Sequence, residues 1–224
     1  MSKGFTFIEL VVATGIMLAL VGFGSASYVN FNERQILEQA AKDFKNNLKV
    51  AQQNAITGVK DNELCDPDFN PATGTNGPTP PETFRGWCIS PRHNNDPFPT
   101  PGSSFNSYQI YGVCDNEEDG INPLVFPQSG NIPVLELPDG VELLTRAFGP
   151  SIPAPGYEEN TLNTRTRFNV FGEDVQFADN SYTKVVYCLQ GNFPSLGAED
   201  IYQITIQPSG EINDDGFVDD CTTI

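Results

Sequence analysis

The chain has 224 residues, of which 38% are hydrophobic, and its formal net charge is −17 at pH 7. The acidity is unevenly distributed: residues 61–224 carry −19, whereas residues 1–60 carry +2. Because an acidic surface repels phosphate backbones, the composition argues against nucleic-acid binding and favours an exported domain that its charge keeps in solution.

The first predicted element is an apolar helix close to the N-terminus. From Leu10 to Asn32 no residue is charged, and as a helix this run would span about 35 Å, enough to cross a bilayer. Lys3 precedes the run, so the positive-inside rule puts the N-terminus in the cytoplasm and the remainder outside. The competing interpretation is a cleaved secretory signal, cut within the small residues 24–27.

The helical pattern continues beyond the apolar run. Gly58 is a suitable terminator, so one helix is predicted, membrane-spanning over residues 5–29 and amphipathic over residues 30–58. The amphipathic half is indicated by apolar residues at spacings of three and four, namely Ile36, Leu37, Ala40, Ala41, Phe44, Leu48, Ala51, Ala55 and Ile56.

Glu9 stands at the head of the apolar run. A carboxylate at membrane depth costs roughly 2.5–3.5 kcal/mol, so a partner is expected for it. The surrounding stretch GFTFIEL (residues 4–10) resembles the class III signal of type IV pilins and of the pseudopilins of type II secretion systems. In that family a short basic leader ends in Gly, followed by Phe and by a Glu at the fifth mature position.

The resemblance implies how the N-terminus is processed and what it binds. Residues 1–4 would be a leader, and a prepilin peptidase would cut between Gly4 and Phe5 and methylate the new amine. That amine would neutralise Glu9 of a neighbouring subunit, with snorkelling of Glu9 to lipid headgroups as the alternative. Implied partners are other pilin or pseudopilin subunits through the N-terminal helix, the peptidase, an inner-membrane assembly platform, and membrane lipid before assembly.

The rest of the chain is predicted to be rich in β-strands. Residues 59–106 form a proline-rich variable loop with one short strand at residues 84–90, and residues 107–224 form a β-rich domain. A long helix followed only by strands predicts an α+β fold, in which a transmembrane-plus-amphipathic helix packs on an antiparallel β-sheet domain. The resemblance implies the same pilin-like architecture.

Five cysteines lie in the exported part, which suits an oxidising exterior, and their spacing matches no zinc site. A bridge between Cys188 and Cys221 would pin the C-terminal tail, and C-terminal disulfides recur in type IV pilins. Cys65 with Cys88 would close the proline-rich loop, and Cys88 with Cys114 is an alternative that the sequence does not resolve.

No catalytic site is predicted, because His93 is the only histidine and no nucleophile motif accompanies it. No cofactor is expected, although calcium is considered at two acidic loops. Residues 115–120 resemble the start of an EF-hand loop, but position twelve is Phe126 rather than Glu. The other candidate ligands, with a solvated charge run as the alternative, are Asp214, Asp215, Asp219 and Asp220.

The sequence therefore predicts a structural subunit of a type IV pilus or type II secretion pseudopilus, without enzymatic activity. The segments 37–58 and 204–212 resemble those of GspH/FimT-like minor pseudopilins. The alternatives are a major type IV pilin and a membrane-tethered adhesin or binding module. The expected location is the inner membrane, single-pass with the C-terminal domain outside, and then the filament.

Overall fold

The computed structural model describes residues 6–59, 83–92, 105–115, 134–148, 157–158, 166–170, 175–177, 183–193 and 200–221, without the side chains of residues 23–27, 83, 92, 114, 115, 147, 157, 158 and 176. It begins with α1, a helix of 51 residues over Phe7–Thr57. Thr6 caps its N-terminus, and Gly58 ends it in the left-handed conformation (φ 66°), which glycine adopts without a Cβ penalty.

Within the described residues, ten strands follow α1 and pair antiparallel in two sheets. Sheet 1 has the order β3-β2-β1-β6-β7 and sheet 2 the order β10-β9-β8-β4-β5. The strand bounds are β1 Thr83–Arg92, β2 Ser107–Asp115, β3 Val134–Glu136, β4 Val141–Phe148, β5 Tyr157–Glu158, β6 Thr166–Asn169, β7 Val175–Phe177, β8 Lys184–Gly191, β9 Ile201–Ile206 and β10 Ile212–Val218.

The C-terminal half of α1 lies against both sheets. Phe44 is at the centre of this contact, with its ring 4.8 Å from that of Tyr108 in β2 and 5.2 Å from that of Tyr187 in β8, both edge-to-face. Such geometry suits the aromatic quadrupole. The buried stripe of α1 has the spacing of one helix face and consists of Leu37, Ala40, Ala41, Phe44, Leu48, Ala51 and Ala55.

The alternation of side chains along β8 gives sheet 2 two distinct faces. Val185, Tyr187 and Leu189 belong to the core that contains the buried stripe of α1. Val186 and Cys188 point to the opposite side and join a separate apolar cluster. We call this opposite side the outer face of sheet 2.

The β9–β10 hairpin runs alongside α1. Its turn contains Gly210, which has a φ of 84° and whose carbonyl accepts a hydrogen bond of 2.7 Å from Gln52 Nε2. Farther along β10 the Arg34 guanidinium lies 4.2 Å from the centre of the Phe217 ring, a cation–π contact. The terminal hairpin is thus attached to α1 at both of its ends.

The predicted fold class, a long transmembrane-plus-amphipathic helix on one antiparallel β-sheet domain, is wrong. The strands divide into two five-stranded sheets. The reason is that β1 pairs with both β2 and β6, whereas β4 pairs with β8. These partners are distant in the sequence, and strand periodicity carries no information about them.

The predicted membrane location is also wrong. In the part of the chain that the structure describes, no helix is long and apolar enough to cross a membrane. A crossing needs about 20 consecutive apolar residues, and the predicted span was residues 5–29. The single-pass inner-membrane location fails with that span.

A buried hydrogen bond between the sheets gives the first testable prediction. Thr166 Oγ1 of β6 lies 2.8 Å from the Tyr187 hydroxyl of β8, and both residues are fully buried. Thr166→Val replaces this bond by a methyl group against a buried hydroxyl, so we expect the free energy of unfolding to fall by about 1–3 kcal/mol in urea titrations. The Thr166→Val/Tyr187→Phe double variant should recover part of this loss, and a single variant as stable as the wild type would contradict the assignment.

Candidate functional site

The N-terminal half of α1 is exposed, unlike the C-terminal half. Phe7 is 82% exposed, Leu18 73% and Tyr28 70%. Other large apolar side chains are exposed on all sides of the same stretch, including Ile8, Leu10, Val12, Ile16, Met17 and Val21. Contiguous apolar patches of this extent mark interaction surfaces. We refer to residues 7–22 and 28–31, whose side chains the structure describes, as the exposed half of α1.

Thr6 and Glu9 organise the start of α1 as a capping box. The Glu9 carboxylate oxygen Oε2 accepts hydrogen bonds from the Thr6 backbone N–H at 2.9 Å and from the Thr6 hydroxyl at 2.8 Å. In return, the Glu9 backbone N–H donates to Thr6 Oγ1 at 3.4 Å. The backbone bond, followed by the hydroxyl bond, lowers the pKa of Glu9. Glu9 is therefore satisfied within its own chain.

Sequence reasoning missed this partner of Glu9. It assigned the carboxylate to the Phe5 amine of a neighbouring subunit, but Gly4 and Phe5 lie outside the described residues. The available signal was Thr6-x-x-Glu9, the Ser/Thr-x-x-Glu/Gln pattern of a capping box ahead of an apolar run. The cleavage between Gly4 and Phe5 and the methylation of Phe5 stay predictions.

Cys188 and Cys221 form a disulfide, with their Cα atoms 6.0 Å apart. This is the pair that the pilin resemblance suggested. Cys188 lies on the outer face of sheet 2, where both cysteines are buried with Val186 and Ile201. The disulfide therefore holds the segment that follows β10 against the outer face of sheet 2.

The bridge between Cys65 and Cys88 stays a prediction, because Cys65 lies outside the described residues. Cys88 is a buried thiol in β1, with its Sγ 3.7 Å from the Ile89 carbonyl oxygen. Cys65 and the side chain of Cys114 lie outside the described residues, as does His93.

The calcium candidates do not converge on one point. Asp214 accepts hydrogen bonds from Lys45 Nζ at 2.7 Å and from the Tyr202 hydroxyl at 2.6 Å, on the side of sheet 2 that faces α1. Asp215 accepts from Gln203 and Thr205 on the outer face instead. Among the described residues, which include Asp219 and Asp220, no group of three or more histidine, cysteine or acidic side chains is placed to hold a metal ion. Most of residues 115–120 lie outside that description.

The Lys45–Asp214 pair links α1 to β10 and gives a pH-dependent prediction. Burial acts to raise the pKa of Asp214, but the hydrogen bonds from Lys45 and Tyr202 outweigh it, so the pKa lies below its usual value. A lowered pKa contributes stability above the unfolded pKa of about 4, and that stability is lost as the pH falls through the folded pKa.

We therefore expect Asp214→Asn to lower the free energy of unfolding by about 1 kcal/mol at neutral pH and by less as the pH falls below about 4. Urea titrations across this range measure the difference. Asp219→Asn removes the same charge from an exposed position near the end of β10 and serves as the control. If the loss in free energy of unfolding caused by Asp214→Asn does not change with pH, the result would contradict the ion pair.

Comparisons with known proteins give no relative of this chain. No protein-family model matches it, and searches of curated proteins and of solved structures also found no match.

Proposed function

We propose that this chain is a structural subunit of a pilin-like filament, a type IV pilus or a type II secretion pseudopilus, and that the exposed half of α1 packs against the same helix in neighbouring subunits. The observation that carries the proposal is the contrast along one continuous helix. The buried stripe of its C-terminal half packs against two sheets, whereas large apolar side chains within residues 7–21 and 28–31 are exposed.

The free energy available from covering this surface is large. Fully burying a leucine, isoleucine, phenylalanine or methionine side chain contributes about 1.5–3 kcal/mol. Association costs roughly 4–15 kcal/mol in lost translational and rotational freedom. Burial of about ten such side chains between neighbouring helices therefore exceeds that cost, and association through the exposed half of α1 is favourable.

The predicted cleavage and methylation of the N-terminus are consistent with the same proposal. Cleavage between Gly4 and Phe5 by a prepilin peptidase would place a methylated amine one residue before Thr6. In the filament this amine would approach Glu9 of a neighbour and compete with the hydrogen bonds that Thr6 makes in the free chain. The role is assembly and display, with no chemistry of its own, and the partners are other subunits, the peptidase and an assembly platform.

The charge of the chain favours a minor subunit over a major one. Each copy carries −17, so stacking many identical copies along a fibre would set like charges against one another. A chain that is present in few copies among less acidic subunits avoids this repulsion. We therefore place it with GspH/FimT-like minor pseudopilins, and a large share of the protein in sheared filaments would instead identify a major pilin.

The test compares two substitutions on the same helix. Leu18→Glu puts a carboxylate into the proposed helix–helix contact, so we expect the chain to disappear from sheared filaments, at least tenfold below the wild type. Val50→Glu, at a position 53% exposed in the C-terminal half of α1, should assemble normally. The readout is the quantity of chain in filaments relative to its total in the cells.

Equal incorporation of Leu18→Glu and wild type would show that the exposed half of α1 is not the assembly surface. An adhesin or binding module on a tether would behave in that way, because its activity would lie in the β-sheet domain.

A further inference from the structure

We propose that a shallow pocket on the outer face of sheet 2 binds a neutral polyhydroxyl ligand the size of one sugar ring. The pocket has a volume of about 250 Å³ and is separate from the exposed half of α1. Six polar side chains line it: Thr183, Lys184, Thr205, Gln207, Asn213 and Asp215. This binding activity would be additional to the assembly role and does not depend on it.

The register of sheet 2 brings these side chains together. Thr205 of β9 stands between Val186 of β8 and Asn213 of β10, its direct partners on either side. Thr205 and Gln207 alternate with the buried Ile206, so both project from the outer face. The pocket therefore lies across β8, β9 and β10, with Asp215 at the point where the β9–β10 register shifts.

Two of the lining groups are held in position by the fold. Asp215 Oδ2 accepts hydrogen bonds from Thr205 Oγ1 at 2.6 Å and from Gln203 Nε2 at 3.0 Å, and Gln203 is 1% exposed. Thr183 Oγ1 donates to the Phe148 carbonyl oxygen at 3.1 Å. These bonds leave Asp215 Oδ1 and the oxygen lone pairs of both threonines as fixed acceptors, which lowers the ordering cost of binding.

Two further groups are open to a ligand. Among the described residues, the side-chain amides of Gln207 and Asn213 form no hydrogen bond, although both line the pocket. Each amide offers two N–H donors and a carbonyl acceptor. The pocket thus presents donors and acceptors side by side, and a hydroxyl group, which both donates and accepts, matches such a surface.

The charged side chains that line the pocket disfavour ionic ligands. The pocket lining holds one cation, Lys184, whose ammonium lies 4.5 Å from the centre of the Phe148 ring, and one carboxylate, Asp215, so its formal charges cancel. A lining without net charge favours neither anions nor cations. A hard cation such as calcium takes six to eight oxygen ligands, usually with more than one carboxylate, and a single aspartate does not provide these. The volume is also below the roughly 300–1,000 Å³ of pockets for drug-sized ligands, which suits a single ring.

The proposal is tested by saturation-transfer NMR on the full chain in a detergent that contains no sugar. The probes are the methyl glycosides of glucose, galactose and mannose, with acetate as a charged comparison. We expect saturation transfer to at least one glycoside, with a Kd on the order of 1 mM, and none to acetate. Asn213→Ala and Gln207→Ala should each weaken binding about tenfold.

Asn46→Ala and Gln53→Ala are the matched controls, because they remove the same amides from exposed positions on α1, which packs on the other side of sheet 2. Both should bind as the wild type does. The proposal is overturned if no glycoside receives saturation at about ten times the expected Kd, or if transfer is unchanged in both pocket variants. The two pocket variants lie in different segments and remove no internal hydrogen bond, so a folding defect in one leaves the other informative.

Discussion

Replacing Phe44 by alanine is expected to lower the free energy of unfolding by about 3–5 kcal/mol, the loss typical of a large aromatic side chain removed from a core. Phe44 is fully buried and contacts Tyr108 of sheet 1 and Tyr187 of sheet 2. Its removal therefore opens a cavity where α1 and both sheets meet. In a chain of this size the melting temperature should fall by roughly 6–20 °C, which calorimetry measures directly.

Val50→Ala is the control for this prediction. It shortens an apolar side chain on the same helix at a position 53% exposed, so the change should stay within about 0.5 kcal/mol. Similar losses for the two variants would contradict the burial of Phe44 and, with it, the packing of α1 against the two sheets.

Loss of the disulfide is expected to have the second largest effect. The bond joins Cys188 and Cys221, which are 33 residues apart in the chain, and it restricts the unfolded state. The free energy of unfolding of the Cys188→Ser/Cys221→Ser double variant should therefore be about 2–4 kcal/mol lower than that of the wild type in urea titrations.

The single Cys188→Ala variant provides the comparison, because it removes the same bond and should lose a similar amount. Local changes should be confined to the apolar cluster on the outer face of sheet 2 that contains Val186 and Ile201. Variants that match the wild type in stability would contradict a structural role for this bond.

Part of the structure could be predicted from local sequence patterns. The spacing of Leu37, Phe44 and Leu48 located the buried stripe of α1, because a helix repeats every 3.6 residues and carries its apolar face with it. Ile56 continued the same pattern but is 44% exposed, whereas the neighbouring Ala55 is fully buried. Periodicity shows which face is apolar, and tertiary contacts decide how far it is covered.

The arrangement of the strands could not be predicted in the same way. The alternation in β8 indicates a strand with two faces, but nothing in it specifies that β8 lies between β4 and β9. A single sheet was the simplest prediction from a row of strand signals. Two sheets result because β6 returns to pair with β1, a contact between segments about 80 residues apart.

In the candidate site, too, local sequence patterns predicted some features and missed others. The carboxylate of Glu9 was recognised as a group that requires a partner, yet its partner Thr6 was overlooked because the resemblance had already supplied one. Asp214 and Asp215 were treated as one acidic loop. In β10 they are neighbours at a register shift of the β9–β10 pair, and they make hydrogen bonds on opposite sides of sheet 2.

The central claim is that this chain is a processed filament subunit, and the most direct test is the intact mass and N-terminal sequence of the chain recovered from sheared filaments. The proposal predicts an N-terminus at Phe5 that carries one methyl group. Absence of the chain from filaments, or an N-terminus within residues 24–27, would contradict the proposal, because a cut there removes most of the exposed half of α1.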